Sequence, residues 1–489
     1  MRITNSIILN GSQTNINKNK NLINKLNTQM TTQKKISKPS DDPIVAIRAL
    51  RLRNNLDQLN QYYEKNIPDA QSWMQVTEDA MVSMRTRLQN AYYSFNQGAN
   101  EDLSTTELQA ILDELKANTD GFYDEGNASC AGRSLFTGYK TNTSLCFKSA
   151  EETTSYSITE KLTGTNVEVF TYVSGCTDLD KTNIQAVAED AMPQTNELHR
   201  IRLSYDELDS VDSFTYTKND GTQVTVSLTE KSLAADGDDA YLNVAADGAN
   251  YIKETGEIIL GEDIYRELEN LKSADAIEIS YKKTGFSKGD VRPEMYFDCE
   301  NLTTGVQYEK EVQDIAYTVT FNQSLKVNTE ASDIFDFSLR RDVDELQAAL
   351  TETVNAEKKK AEIESMLEDS SYSTADKAKL ETMLEAAEKE VTLKRAKVQQ
   401  LFEAGIDNSQ AYQERVNLGI TDVGNRTSRL KLIESRMADQ QLNFEDLKEA
   451  NEGVNIEDVA IELTAANTIY EGSLASIGAI SKLSLLNYI

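Results

Sequence analysis

The chain contains 489 residues, of which 80 are acidic and 50 are basic, so its formal net charge is -30 at pH 7. A chain this acidic argues against a nucleic-acid partner and indicates a soluble, self-repelling surface. The length is sufficient for about two to four domains.

The sequence predicts neither membrane insertion nor a cleaved secretion signal. It contains no run of about 18 apolar residues, the length that a membrane-spanning helix needs. Residues 1–30 are rich in Asn, Thr and Lys and lack the apolar core of a signal peptide. The four cysteines are widely spaced without a CxxC pair, so we interpret them as buried or idle thiols.

The N-terminal segment, residues 1–40, is polar. Its sparse apolar stripe consists of Ile16, Ile23, Leu26 and Met30. A helix with so few apolar residues is marginal in isolation, so we expect this segment to be mobile in the monomer. Asp42 then precedes a proline, which predicts that Asp42 caps a helix beginning at Pro43. The residues that this helix is expected to bury are Ile44, Ile47, Leu52, Leu56 and Leu59.

Residues 41–119 are expected to form the N-terminal rod helices. After Ala70 the apolar residues recur in alternating steps of four and three, the 3.5-residue period of a coiled-coil strand. The large residues of this seam are Met74, Met81, Met84, Leu88 and Phe95. We interpret the methionines as core residues and not as a cofactor site.

Residues 120–340 are expected to form a β-rich outer domain, because the apolar period changes to two and glycines punctuate the segment. Asp220-Gly221 is predicted to be the turn of a hairpin. Thr255-Gly256 is predicted to be a second turn of this kind, and a short helix is expected to begin near Glu262.

The C-terminal part returns to helical periodicity. Residues 341–410 are highly charged and are expected to form a helical hairpin that breaks at Asp369-Ser370-Ser371. Residues 411–452 are expected to form the C-terminal rod helix, with an apolar residue at every seventh position: Val416, Val423, Leu430, Met437 and Phe444. Residues 453–489 are expected to form a final helix, mobile in the monomer, whose stripe includes Leu463, Leu474 and Ile477.

A seam of this kind needs a partner helix, and the two ends of the chain have the same period. We therefore predict an α+β protein. Its long N- and C-terminal helices pair as a coiled-coil-like rod, and a β-rich domain and an additional helical hairpin are inserted between them.

The residues suggest no catalytic chemistry. The chain has one histidine, His199, and neither a GxxxxGK[ST] nor a GxGxxG motif. We expect no enzyme activity, no catalytic residue, no cofactor and no metal.

Three stretches together resemble bacterial flagellin-type axial proteins, and most closely the FlgL-type hook-associated family of the hook–filament junction. The first is the N-terminus, with Met1–Asn5 and Ile36–Pro43. The second is Gly132–Thr141 (GRSLFTGYKT). The third comprises Asn425-Arg426, Met437–Gln440 and the tail Ser484–Ile489 (SLLNYI).

The resemblance implies a non-enzymatic structural subunit of the flagellum, exported by the flagellar type III apparatus without signal cleavage and located outside the cell. It implies a ring of copies, contacts with a neighbouring hook-associated protein and with flagellin, and an export chaperone. It also implies that the chain ends order on assembly. The terminal assembly residues would then be Ile16, Ile23, Leu26, Leu463, Leu474, Ile477, Leu485, Leu486 and Ile489.

Several alternatives stay open. A filament flagellin would share both ends, and the Asn487-Tyr488-Ile489 tail is the feature that argues against it. A type III needle-tip protein would also pair distant helices but would not need the Gly132–Thr141 segment. The β-rich domain could instead be adhesive on a flagellar scaffold, or could contain an enzyme, although the sequence offers neither a ligand nor a nucleophile–base set.

Overall fold

A computed structural model of the protein describes residues 5–176, 179, 184, 192–271 and 276–482. The chain divides into two compact units, each made of separate stretches of sequence. Unit 1 comprises Met1–Gln71, Tyr317–Leu325 and Ser428–Ile489. Unit 2 comprises Ser72–Ala316 and Lys326–Thr427.

The long helices lie before and after the β-rich domain, and three short ones lie among its strands. They are α1 (Asn5–Thr32), α2 (Pro43–Gln61), α3 (Ile67–Gly98), α4 (Thr105–Glu125), α5 (Leu233–Asp236), α6 (Asp239–Leu242), α7 (Glu262–Glu269), α8 (Ala331–Ile334), α9 (Ser338–Glu368), α10 (Thr374–Glu452) and α11 (Ile456–Lys482). A single π-helical turn, Tyr62–Asn66, joins α2 to α3. None of the helices in the described part of the chain has the length and apolar character needed to cross a lipid bilayer.

The strands lie between α4 and α8. They are β1 (Ser129–Cys130), β2 (Arg133–Ser134), β3 (Glu151–Leu162), β4 (Val167–Val173), β5 (Thr195–Arg202), β6 (Ser210–Thr217), β7 (Gln223–Thr225), β8 (Ser227–Lys231), β9 (Gly248–Ile252), β10 (Glu257–Leu260), β11 (Ile277–Phe286), β12 (Asp298–Asn301), β13 (Val306–Tyr308), β14 (Ala316–Thr320) and β15 (Gln323–Lys326).

Two sheets form the β-rich part of unit 2. One has five strands in the order β4-β5-β10-β9-β8, and the other has six in the order β13-β12-β3-β11-β6-β7. Alternate residues of both sheets share one apolar core, which includes Ile201 and Ile258 of the first sheet and Ile158, Phe214 and Tyr281 of the second. This core confirms the β-rich domain that the period-two pattern predicts.

Both predicted turns are present. Strands β6 and β7 pair antiparallel up to Thr217 and Gln223, and Gly221 between them has a φ of 87°. Strands β9 and β10 pair around Gly256, whose φ is 63°. Positive φ values of this size favour glycine, which explains why these positions punctuate the sequence.

The additional helical hairpin is confirmed, with α9 and α10 as its arms. The chain reverses between Glu368 and Thr374, where the Asp369 carboxylate accepts a hydrogen bond from the Ser371 N–H at 2.8 Å. The arms bury an apolar cluster that includes Ile363, Met366, Leu380 and Met383.

The expected segment boundaries differ from the helix ends in two places. Helix α10 continues through residue 410, so the charged hairpin arm and the C-terminal rod helix form one helix, because no proline or capping residue interrupts the segment. Helix α4 extends to Glu125, beyond the expected boundary at residue 119.

Candidate assembly interface

The predicted seam residues are placed in the interior, with one exception. Side chains with at most 1% exposure are Met74, Met81, Met84, Leu88, Phe95, Val416, Val423, Leu430 and Met437. Phe444 is only half-buried. The seam is divided between the units: Met84 belongs to unit 2 and Leu430 to unit 1.

In unit 2 the partner of α10 is α3. The rings of Phe95 and Phe402 meet edge to face at 6.4 Å between centroids. The Gln413 amide donates to the Leu88 carbonyl oxygen at 3.5 Å. The two helices are antiparallel, because the earlier α3 residue, Leu88, contacts the later α10 residue, Gln413. The later α3 residue, Phe95, contacts the earlier α10 residue, Phe402.

Two glycines allow these helices to approach closely. A Cβ added at Gly98 would collide with the Phe402 ring, and a Cβ added at Gly405 would collide with the Phe95 ring. On each helix, the glycine leaves space in which an aromatic ring of the other helix packs. This reciprocal contact fixes the register of α3 on α10.

In unit 1 the N-terminal helix that contacts α10 is α2. The Gln441 amide donates to Asn60 Oδ1 at 3.0 Å, and the Asn451 amide donates to the Val45 carbonyl oxygen at 3.2 Å. The two ends of the chain are thus paired within each unit, but through different N-terminal helices.

Glu452 is the central polar contact of unit 1. Arg53 Nε donates to Glu452 Oε1 at 2.7 Å, and the Lys35 N–H donates to the Glu452 carbonyl oxygen at 2.7 Å. The hydrogen bonds from Arg53 lower the pKa of the Glu452 carboxyl, so the ion pair persists at neutral pH.

Helices α1 and α11 pack together beside this contact. Their shared cluster consists of Leu26, Val459 and Ala466, with Ile23, Val454 and Leu463 at its edge. Of the other predicted terminal assembly residues, Ile16 and Ile477 are half-buried and Leu474 is 47% exposed. Leu485, Leu486 and Ile489 lie outside the described residues.

The first turns of α2 correct one expectation. The Asp42 cap is confirmed, because its side chain accepts hydrogen bonds from the N–H groups of Ile44 and Val45. The same helix buries Leu56 and Leu59 as predicted, but Ile44 is 68% and Ile47 is 53% exposed. The apolar period identifies which residues share one face of the helix. At the start of α2, a different face packs against the neighbouring residues.

Further aliphatic side chains of unit 1 are exposed along the same helices. They are Leu50 on α2, Leu432, Leu442 and Leu447 on α10, and Ile461 and Ile469 on α11. Sequence reasoning did not single out these exposed positions, since the seam pattern identifies only the buried face.

The Gly132–Thr141 segment connects α4 to the β-rich domain. Leu135 and Phe136 are buried, and the Phe136 ring meets the Phe335 ring edge to face at 5.6 Å. Lys140 Nζ donates to the Glu294 carbonyl oxygen at 2.6 Å. Gly138 has a φ of 57°, which requires a glycine or a strained residue. The segment therefore has a structural role within unit 2.

A buried ionic network attaches the five-stranded sheet to α9 and α10. Arg200 on β5 contacts Glu168 at 3.1 Å, Glu257 at 2.5 Å and Glu345 of α9 at 2.6 Å. Breaking one partner of such a buried set costs about 3–5 kcal/mol, because the other charges lose compensation. Burial by itself would raise the pKa of Glu345, but the neighbouring Arg200 guanidinium lowers it.

A second arginine extends this network to α10. Arg202 contacts Asp342 at 2.8 Å, and Asp342 accepts hydrogen bonds from Asn408 and from the Tyr412 hydroxyl, each at 2.9 Å. The network thus joins the sheet to both arms of the helical hairpin.

Burial affects three of the four thiols, and the histidine packs against a tyrosine ring. Burial raises the pKa of Cys146 and Cys299 to about 12 and that of Cys176 to about 11, so few thiolates are present at neutral pH. The His199 ring stacks on Tyr265 at 3.5 Å between centroids. Among the described residues no cluster of His, Cys, Asp and Glu could hold a metal ion.

Comparison with known proteins gives a partial match. Residues 3–141 match the model of the bacterial flagellin N-terminal helical region. Flagellar hook-associated protein 3 of Salmonella typhimurium is 28% identical over 142 residues, which is 29% of this chain and 44% of that protein. Flagellar hook-associated protein 3 of Escherichia coli is 34% identical over 128 residues, which is 24% of this chain and 38% of that protein.

Solved structures of two FlgL proteins have low similarity to this chain. The flagellar junction protein FlgL from Legionella pneumophila has 13% identity and a TM-score of 0.28, with 79% of this chain and 99% of that chain covered. FlgL of Xanthomonas campestris has 12% identity and a TM-score of 0.26, with 80% and 99% covered.

The aligned region spans less than half the length of the curated relatives. The region that matches the flagellin N-terminal model contains α1 to α4 and the Gly132–Thr141 segment. The resemblance that the sequence motifs predict is therefore confirmed: residues 3–141 match the flagellin N-terminal helical region, and the chain is similar to flagellar hook-associated proteins.

Proposed function

We propose that this protein is a structural subunit of the bacterial flagellum that forms the junction between hook and filament and seats the first flagellin subunits. The observation that supports this most directly is the match of residues 3–141 to the flagellin N-terminal helical region. The two relatives named flagellar hook-associated protein 3 favour the junction over the body of the filament.

Assembly would use the exposed aliphatic residues of unit 1. Ordering each residue of a terminal helix costs about 1–2 kcal/mol of backbone entropy. Few side chains of α1 and α11 are buried against each other, and Ile461 is 69% and Ile469 is 57% exposed. Neighbouring copies that cover such residues would compensate for the entropy, so ring formation and ordering of the ends would be coupled.

Further partners follow from the same proposal. The protein would contact a neighbouring hook-associated protein on one side and flagellin on the other. It would leave the cell through the flagellar type III system without signal cleavage, accompanied by an export chaperone, and would remain at the extracellular flagellum. Its role would be structural and not enzymatic.

Deletion of the gene in the native bacterium tests the junction role. We expect cells that retain hooks, lack filaments and release flagellin subunits into the medium, and we expect restoration by the wild-type gene. A chain lacking Leu485–Ile489 should be exported but should not restore filaments. Normal filaments on the deletion strain would contradict the proposal.

Filament flagellin is the second candidate, because the matching family model is that of flagellin. It makes a different prediction in the same experiment. If this chain were the filament subunit, the deletion strain would lack filaments and would also release no flagellin into the medium.

A further inference from the structure

Helices α1 and α11, which pack together in unit 1, have charges of opposite sign. Helix α1 contains three lysines, Lys18, Lys20 and Lys25, and no acidic residue. Helix α11 contains four acidic residues, and its one basic residue, Lys482, is at its last position. A positive helix and a negative helix therefore lie side by side in each copy of the protein.

The two helices do not neutralise each other within the copy. The three lysines of α1 and the four acidic residues of α11 are all exposed. Within the part of the chain that the structure describes, none of them forms an ion pair. By contrast, Glu452, just before α11, is paired with Arg53 at 2.7 Å. The charges of α1 and α11 are thus available to a neighbouring molecule.

On α1 two of the lysines flank an exposed leucine. Lys18, Leu22 and Lys25 are separated by four and three residues, so they share one face of the helix. Leu22 is 43% exposed, whereas Leu26, which packs on α11, is 2% exposed. We call the face formed by Lys18, Leu22 and Lys25 the basic stripe.

On α11 two acidic residues flank exposed isoleucines. Asp458 is three residues before Ile461 and four before Glu462, and Ile469 follows Glu462 by seven, so these residues share one side of the helix. Ile461 is 69% and Ile469 is 57% exposed, whereas Val459, which packs on α1, is 3% exposed. We call the face formed by Asp458, Ile461, Glu462 and Ile469 the acidic stripe.

The two stripes are complementary. Each has an aliphatic centre and flanking charges, and the charges of the two stripes have opposite sign. Where helices of different chains pack, apolar residues are buried in the seam, and flanking charges of opposite sign select the partner and its orientation. A second copy of this chain presents both stripes. Because the net charge of -30 opposes most contacts between copies, a local match of opposite charges favours this one.

We propose that the basic stripe of one copy packs on the acidic stripe of a second copy. Lys18 and Lys25 pair with Asp458 and Glu462 of the neighbour, and the aliphatic residues of the two stripes are buried between them. This inference rests on the proposed ring of copies and identifies the surfaces through which the copies meet.

Charge reversal in the native bacterium tests the contact. In a strain that lacks the chromosomal gene, the pair Lys18→Glu and Lys25→Glu should be exported but should restore neither filaments nor swimming. The pair Asp458→Lys and Glu462→Lys should have the same effect. All four substitutions in one chain should restore both, because the stripes again have opposite charge.

The matched controls reverse charges outside the two stripes. Lys20→Glu on α1 and Glu471→Lys on α11 change exposed residues on other faces of the same helices. Each should restore swimming as the wild-type gene does. Detection of every variant in the culture medium shows that a loss of swimming is not a loss of export.

Expression of both defective chains in one cell distinguishes contact between copies from contact within a copy. The acidic α1 of one chain can then meet the basic α11 of the other, so swimming should return at least in part. Pairing within one copy predicts restoration by the chain with four substitutions and none by the mixture.

A second measurement depends neither on export nor on the flagellar role. Purified full-length protein is mixed with the same protein labelled with heavy nitrogen, concentrated, and treated with a carbodiimide, which joins an amine directly to a carboxylate in contact with it. We expect products that join an α1 peptide of one label to an α11 peptide of the other. Their amount should fall as the salt concentration rises, because salt screens exposed charges.

Three outcomes would overturn the inference. Normal swimming of both reversed pairs would show that the stripes form no contact. A loss of swimming that the four substitutions together do not reverse would mean that another protein covers one of the stripes. Cross-linked products that contain only one label would place the pairing within a copy.

These failures differ from a failure of the proposed function. If the deletion strain loses its filaments, each of the three outcomes rejects the contact and leaves the flagellar role intact. If the deletion strain keeps normal filaments, the junction role is rejected, and the cross-linking of mixed labels still decides whether copies meet through the two stripes.

Discussion

Gly98 and Gly405 show how single residues determine the pairing of the long helices. Each glycine lies against a phenylalanine ring of the opposite helix in unit 2. Glycine within a helix costs about 1 kcal/mol relative to alanine. Here that cost is offset by the burial of two aromatic rings, each of which is at most 1% exposed.

We therefore expect Gly405→Ala to destabilise the protein by about 1–3 kcal/mol, because the new methyl group collides with the Phe95 ring in a packed interior. The control is Gly424→Ala on the same helix, where an added Cβ meets nothing within 4 Å. That substitution should be neutral or stabilise by up to about 1 kcal/mol. Urea denaturation of both variants checks the difference, and equal stabilities would contradict the reciprocal contact.

Prediction at the residue scale succeeds where the cause is local. The cap at Asp42 follows from the restriction that Pro43 places on the preceding residue, and the structure confirms it. The predicted burial of Ile44 and Ile47 is wrong, because the covering of a helix face depends on neighbours hundreds of residues away.

Helix α10 is the element that both units have in common, since its residues Thr374–Thr427 belong to unit 2 and Ser428–Glu452 to unit 1. The repeat of seven identifies its buried side along both stretches, from Val416 and Val423 to Leu430 and Met437. The repeat does not identify the partner, which is α3 in one unit and α2 in the other.

Leu430 and Leu432 provide a matched test of the seam. Leu430 is 1% exposed and Leu432 is 70% exposed, two positions apart on the same helix. Leu430→Asp should destabilise the protein by about 3–5 kcal/mol, because it removes a buried leucine and places an unpaired charge in the interior. Leu432→Asp should change stability by no more than about 0.5 kcal/mol.

Thermal melting followed by circular dichroism compares the two variants. A lower melting temperature for Leu430→Asp alone would support the assignment of the seam. Equal melting temperatures for this variant and the wild-type protein would show that the seam is assigned to the wrong face.

For the whole molecule, the net charge of -30 makes copies of the chain repel one another. The proposed assembly would therefore need specific contacts to overcome this repulsion. In that proposal the exposed aliphatic residues of α2, α10 and α11 make these contacts.

Ile47→Glu tests this proposed contact surface in the native bacterium. Because Ile47 is 53% exposed, we expect the purified variant to melt within a few degrees of wild type. The added charge should nevertheless prevent incorporation into the flagellum and abolish swimming motility. Ser83→Glu, which adds the same charge at an exposed polar position of α3, should leave motility unchanged. Normal motility of the Ile47→Glu strain would remove α2 from the assembly surface.

The architecture was predictable from periodicity, because the change from a period near 3.5 to a period of two marks where helices give way to strands. The network around Arg200 and Arg202 was not predictable. Its partners Glu257, Asp342 and Glu345 are distributed over a strand and a helix far along the chain. The same holds for the cavity of about 600 Å³ that Tyr205 and Asp344 help to line, whose walls come from five separate stretches of sequence.

Unit 1 is assembled from three stretches that begin, interrupt and end the polypeptide, with both stretches of unit 2 between them. During synthesis, α2 therefore waits for its α10 neighbour while the intervening chain is translated, since Gln441 lies 381 positions after its partner Asn60. Contacts between residues so far apart in sequence form slowly, so this unit is unformed when α2 leaves the ribosome. A secretion channel that accepts only unfolded polypeptide would receive such a chain without first having to unfold that unit.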